Sequence, residues 1–206
     1  MNIRLSYFNF PFWRVETSRL ALHIGGVEFE DVRVGREEFI EKKAAGVFPY
    51  GQLPVLEVDG KMFAQSVAIA KFCGKLSGLY PKNDDLAALR VDEFLDAAAQ
   101  MTSLVNPSMR EKDPEKRAAL REELGKETFP RWLGLLEKRM GEGDYLVGDS
   151  LTVADLAIWR LLGWLCGGVL DGIPSDLLTS HSRLEAHFKF IDGREDIRAW
   201  MEKHYG

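Results

Sequence analysis

Three things are scarce in this chain: an excess of basic residues, sulfur in useful spacing, and long apolar runs. Lys and Arg total 27 against 32 Asp and Glu, a net charge of −5. A general nucleic-acid binder would show a basic face, so that class is set aside. The two cysteines, Cys73 and Cys166, lie far apart without CxxC spacing. That excludes a disulfide framework and points to reduced thiols in a cytoplasmic protein. His23, His181, His187 and His204 lack metal-ligand spacing and are expected at the surface. No apolar stretch reaches the ~18 residues of a membrane span. The opening MNIRLSYF has no signal-peptide apolar region. Internal repeats and low-complexity segments are missing too. What remains is an ordinary globular balance, 46% hydrophobic in 206 residues, enough for one or two domains.

In order, the pattern predicts a strand at Ile3–Phe8, with Tyr7 near its end, then an aromatic loop, FNFPFWR. A helix from about Arg14 to Ile24 stops at Gly25-Gly26, and a strand at Glu28–Val34 and a helix at Arg36–Ala45 follow. The stretch Gly51–Ser66, GQLPVLEVDGKMFAQS, reads as a turn, a strand, a hairpin at Asp59-Gly60, a second strand and a helix start. That helix carries Ile69, Phe72, Cys73 and Leu76 at i, i+3, i+4, i+7. The first part is therefore α+β, in the order β-α-β-α-β-β-α. GLYPKNDD breaks both periodicities and reads as a linker.

Beyond it everything is helical. One helix runs from Leu86 to about Arg110, with Asp92, Asp96 and Gln100 on a polar stripe. Another runs from Pro114 to about Met140, with a kink expected at Pro130. In SLTVAD, Thr152 and Asp155 form a capping-box pattern before LAIWRLLGWLCGGVL, an apolar helix expected to be central, with Trp159 and Trp164 in the core. Helices at about Ser175–Ile191 and Arg194–His204 finish the chain.

Three features of Gly51–Ser66 suit a small peptide-like acid. Pro54 is a candidate cis proline, which would turn the Leu53 N–H and C=O outward toward a ligand's peptide group. Gln65 and Ser66 open a helix, and a helix N-terminus favours a carboxylate. Each feature alone is common scaffolding; their order is what points to a site.

LSYFN at Leu5–Asn9, Arg14, Glu16 and Arg19, YGQLPVLEVDG at Tyr50–Gly60, AQSVAIAKF at Ala64–Phe72 and YLVGDSLTVADL at Tyr145–Leu156 together resemble the cytosolic glutathione transferases, and within them the sigma class that includes glutathione-dependent prostaglandin D synthases. The likeness covers nearly the whole chain. It implies the glutathione transferase fold: a thioredoxin-like glutathione-binding domain at 1–78, a linker at 79–85 and an all-helical domain at 86–206. It implies glutathione as co-substrate, no required metal, and a homodimer. Tyr7 matches the family's catalytic tyrosine and Arg14 a basic residue supporting it. Phe8, Phe39, Lys43, Gln52, Leu53, Pro54, Gln65 and Ser66 fall at glutathione-binding positions. Gln100 falls where this class sends an aspartate across the dimer, so weaker glutathione binding is expected. The loop Phe10–Trp13 is one residue longer than the family pattern, and a second insertion precedes YGQLP.

The second substrate implied is an apolar electrophile. Candidate walls are Phe10, Phe12, Trp13, Met101, Leu104 and Val105. The polar stripe of Asp92, Asp96 and Gln100 is a weaker candidate for a divalent ion at a dimer seam, and Phe48-Pro49-Tyr50 an exposed loop able to enter a partner subunit. Conjugation is the leading reading. A prostaglandin D synthase-type isomerase and a non-enzymatic, crystallin-like protein on the same fold are the alternatives.

Overall fold

A computed structural model describes all 206 residues. Strand β1 (Ile3–Tyr7) is central in a four-stranded sheet of order β2-β1-β3-β4. Its alternation buries Ile3, Leu5 and Tyr7 on one face. β2 (Glu30–Arg33) pairs parallel to β1, so a crossover is needed, and α1 (Trp13–Ile24) supplies it. β3 (Val55–Val58) runs antiparallel to β1 and joins β4 (Lys61–Ala64) through Asp59 and Gly60. Both turn residues have positive φ, 47° and 80°, which matches the twist of a two-residue hairpin. α2 (Arg36–Ala44) and α3 (Ser66–Ser77) complete the β-α-β-α-β-β-α order.

The rest is helical: α4 (Asp85–Arg110), α5 (Pro114–Glu123), α6 (Phe129–Arg139), α7 (Val153–Cys166), α8 (Ser182–Asp192) and α9 (Glu195–Tyr205). The single kinked helix expected over 114–140 is instead two helices joined by a π-helical turn at Leu124–Thr128. Pro130 has no N–H to give the preceding turn, and the widened turn absorbs that loss. The last-but-one helix is also shorter than expected, because a 3₁₀ turn at Leu177–Ser180 precedes it.

α7 is the hub, with most of its residues fully buried. It packs on α1 across the seam between the sheet unit and the helices, and on α4. Gly74 of α3 permits this approach, since a Cβ there would lie 2.8 Å from Val153 Cγ1. The capping box at its start is formed as expected, and Asp155 does more than cap. Its Oδ1 accepts from the Leu146 N–H at 2.8 Å and lies 3.0 Å from His187 Nε2. His187 is therefore a core residue, and His181 is also buried, beside Glu137 at 3.7 Å. His204 is half-buried against Trp200, with ring centroids 3.9 Å apart. Of the four histidines expected at the surface, His23 alone is exposed.

Candidate functional site

The carboxyl end of β1, the start of α1, the 51–54 turn and α4 enclose a cleft of about 440 Å³. Tyr7, Phe8, Phe10, Phe12, Phe39, Lys43, Gln52 and Leu53 line it from the sheet side. A smaller recess adjoins it, lined by Gln52, Leu53, Pro54, Gln65, Ser66, Tyr50 and Ala64. Arg14 borders both. The fifteen residues of the main cleft include Arg14, Lys43 and Arg110 and no acid. An acidic protein thus carries a locally cationic site.

Tyr7 reaches the cleft because it is the last inward residue of β1. It is 5% exposed. Burial pushes its phenol up to about 12, and the Arg14 and Arg19 charges pull the other way. The phenol is a neutral O–H donor at neutral pH. Its ring is edge-on to Phe8 at 5.4 Å and to Phe10 at 5.5 Å, and Phe8 meets Phe39 at 5.0 Å. The Arg14 Nε is buried without a protein partner. An unpartnered buried donor at the junction of two recesses is a place for an anionic or acceptor group of a ligand.

The Leu53-Pro54 bond is cis. Buried Leu53 makes no backbone hydrogen bond with either its N–H or its C=O, so both remain open to a ligand's peptide group. Gln65 precedes α3 with φ 76°, a conformation non-glycine residues seldom hold. Its side chain and Ser66 flank the free N–H groups at the start of α3, the kind of place that takes a carboxylate. Such strain concentrates at ligand clamps. Exposed Lys43 lies over the Phe39 ring at 5.7 Å.

The other wall departs from expectation. Met101 and Val105 are fully buried, and Leu104 does not line the cleft. The face of α4 that opens on it carries Thr102, Asn106, Met109 and Arg110. The register is one residue further round the helix, because the 101–105 stripe faces α7 and the core. Trp13 is also core, 1% exposed, and its indole N–H donates to Thr102 Oγ1 at 2.8 Å, tying α1 to α4. Trp164, expected in the core, is half-buried and lines the cleft, edge-on to Phe12 at 5.0 Å. A polar i, i+4, i+8 stripe at Thr102, Asn106 and Arg110 was the available sequence signal for this wall.

Gln100 lies outside the cleft of its own chain. It borders a separate groove of about 420 Å³ between α4 and α6, with Asp96, Phe94, Trp132 and Leu136. Asp92 accepts from Lys71 Nζ at 2.6 Å and from the Tyr80 hydroxyl at 2.9 Å. Those bonds engage each of its oxygens once within the chain. In Phe48-Pro49-Tyr50, Phe48 is buried and stacked on Phe39 at 5.8 Å, while Tyr50 is 66% exposed. The chain's own thiols are poor nucleophiles: burial pushes Cys73 up to about 12 and Cys166 up to about 11.

Residues 3–74 match the model of the glutathione S-transferase N-terminal domain and residues 100–204 a model of the glutathione S-transferase C-terminal domain. Glutathione S-transferase 3 of Caenorhabditis elegans is 34% identical over 209 residues, 98% of this chain and 97% of that protein. The structure of a prostaglandin D synthase from Nilaparvata lugens superposes with a TM-score of 0.87 at 31% identity, covering all of both chains. A monomeric glutathione S-transferase from Necator americanus superposes at 0.81, 28% identical, covering all of this chain and 98% of that one.

Proposed function

The chain belongs to the glutathione S-transferase family, and from that premise we propose how its own residues work. The sheet unit, 1–78, holds glutathione, and 86–206 supplies much of the wall for the second substrate. The free thiol has a pKa near ~8.5, so only a few per cent is thiolate at neutral pH. The Tyr7 O–H donates to the sulfur and stabilises the anion, with Arg14 adding positive charge. Each tenfold gain in thiolate corresponds to ~1.36 kcal/mol of preferential binding. The Leu53 N–H and C=O pair with the peptide of the tripeptide. Gln65, Ser66 and the start of α3 take the γ-glutamyl carboxylate, and Lys43 the glycine carboxylate, beside Phe39 and Gln52. The thiolate then attacks an electrophilic carbon held among Phe10, Phe12, Met109 and Trp164. A carbon–sulfur bond forms while the leaving group departs with its electron pair.

The observation that carries this reading is a buried, neutral phenol opening on a cationic cleft beside an unpaired Leu53 amide. Conjugation of glutathione to a chromogenic aryl halide tests it. Tyr7→Phe is expected to lower kcat about 10²-fold, the usual cost of losing one donor to a developing anion. Equal rates would take Tyr7 out of the mechanism, and no rate in either protein would favour a binding role. A second reading, isomerisation by the same thiolate, draws on the full-length likeness to a prostaglandin D synthase. Formation of prostaglandin D by the purified protein, absent in Tyr7→Phe, would decide for it.

We also propose a homodimer. Exposed Tyr50 stands beside an apolar patch with Met62, Phe63 and Phe72. The groove between α4 and α6 offers Phe94, Trp132, Leu135 and Leu136, a pocket fit for such a ring. Insertion of Tyr50 there would bring Gln100 toward the partner's glutathione. Sedimentation should show a wild-type dimer that Tyr50→Ala dissociates; a wild-type monomer, like the Necator relative, would end this proposal.

A further inference from the structure

Beside the Phe8–Asn9 segment lies a cluster of charge that lines neither recess of the cleft. Arg19, fully buried on α1, donates from Nε to Asp31 Oδ1 at 2.8 Å and from Nη1 to Glu16 Oε2 at 3.2 Å. Arg33 donates from Nε to Asp31 Oδ2 at 2.7 Å. Two guanidinium groups face two carboxylates, so the charges cancel. The remaining member comes from the far end of the chain. The hydroxyl of Tyr205, on the last turn of α9, accepts from Arg19 Nη1 and from Arg33 Nη1, each at 2.9 Å. It donates to Glu16 Oε2 at 2.6 Å. The Arg33 guanidinium also lies over the Tyr205 ring, 5.0 Å from its centroid.

The same two arginines hold the backbone corner that follows Tyr7. Arg33 Nη1 donates to Asn9 Oδ1 at 2.9 Å, and Arg19 Nη2 reaches the Phe8 carbonyl at 3.5 Å. Asn9 and Phe8 are the residues immediately after the phenol. Arg19 is besides one of the two charges that favour the Tyr7 anion. Trp200 docks α9 by ring contact with His23 and Phe29, and its indole N–H donates to Glu16 Oε1. The Tyr205 hydroxyl adds the link to the two arginines.

We propose that Tyr205 is a positioning residue for the reaction: its hydroxyl bridges Arg19 and Arg33, fixing the guanidinium groups that hold Phe8 and Asn9 and so aim the Tyr7 phenol at the bound sulfur. The inference rests on the assignment of Tyr7 made above. Without the hydroxyl, Arg19 Nη1, Arg33 Nη1 and Glu16 Oε2 each lose one of the partners they share, and they re-pair at the expense of the grip on the corner.

Tyr205→Phe is compared with Tyr145→Phe, a control whose hydroxyl accepts from Arg194 at 3.3 Å, outside the network. The readouts are the pH profile of kcat/KM for conjugation and the ultraviolet titration of enzyme-bound glutathione thiolate. Tyr205→Phe is expected to move both midpoints upward, leaving about three- to ten-fold less thiolate at neutral pH, the factor that half to one pKa unit represents. The glutathione KM should change little. Tyr145→Phe should lose thermal stability with its midpoints in place. Asn9→Ala, at an exposed position, cuts the grip without disturbing the buried charges, and should move the midpoints the same way; it carries the test if Tyr205→Phe does not fold. Unmoved midpoints in Tyr205→Phe, or in Asn9→Ala where it stands alone, overturn the inference. If Tyr7→Phe is impaired in the same assay, only the inference falls; if Tyr7→Phe behaves as wild type, the mechanism falls with it.

Discussion

On one side of the cleft, Leu53, Gln65 and Ser66 offer an unpaired backbone amide, a side-chain amide and a helix end. On the other, Thr102, Asn106, Met109 and Trp164 offer side chains whose place depends on how α4 and α7 pack. The first wall is set within the fourteen residues Leu53–Ser66, by a cis proline, a hairpin and a residue held at positive φ. The second needs Trp13 buried against Thr102 and an aromatic loop folded over Trp164. Directional polar groups suit a ligand of fixed chemistry. A wall of aromatic and thioether groups tolerates ligands of varied shape. One cleft thus joins a strict half to a permissive half.

The division makes a crossed prediction, and it carries the largest effect. Gln65→Ala removes a bond to a charged ligand group and should raise the glutathione KM about 10- to 100-fold, from the ~1.5–3 kcal/mol such bonds contribute. The KM for an aromatic electrophile should stay within about twofold of wild type. Trp164→Ala should do the reverse, raising the electrophile KM about three- to ten-fold through lost aromatic contact while sparing glutathione. Steady-state kinetics with each substrate varied in turn reads both. If Trp164→Ala weakens glutathione as much as Gln65→Ala does, the two walls act as one and the cleft has no separate strict half.

The same division marks how far the sequence could be read. Leu53-Pro54, Asp59-Gly60, Gln65-Ser66 and the end of β1 are each announced by neighbouring residues, because turn chemistry and strand alternation are local. Lys43 and Phe39 face the cleft despite the insertion beside them. Choosing Met101 and Val105 over Thr102 and Asn106 required knowing which face α7 covers. No local pattern encodes that, and an amphipathic helix can turn by a hundred degrees for each residue of register. Trp13 and Trp164 exchanged places for the same reason: both are aromatic, and only packing decides which is sealed and which is left at the rim. His187 was hidden because its partner, Asp155, already had a complete explanation as a helix cap. Nor could Tyr205, about 190 residues from Glu16 in the chain, be joined to it by any spacing argument.

The smallest effect expected is one that stays invisible through neutral pH, and it tests the electrostatics of the strict wall. Burial raises the Tyr7 phenol from 10.0 to about 12 against the pull of Arg14 and Arg19. A raised folded value means the neutral phenol is favoured in the fold. The associated stability is fully present below about pH 10 and is lost as pH climbs toward 12. Tyr80 is also raised to about 12, by burial and then by Asp92, so the two overlap in the whole protein. Difference titration of phenolate absorbance, wild type minus Tyr7→Phe, isolates the one from the other. The difference should remain flat through pH 10 and appear only near 12. Trp164→Ala, on the permissive wall, should leave that curve in place. A difference signal already present at about pH 9 would mean that the two arginines outweigh burial, because the reference phenol ionises near 10. Tyr7 would then approach an anion in the free enzyme and take a proton from the thiol, rather than donate a hydrogen bond to a thiolate formed by loss of its proton to solvent.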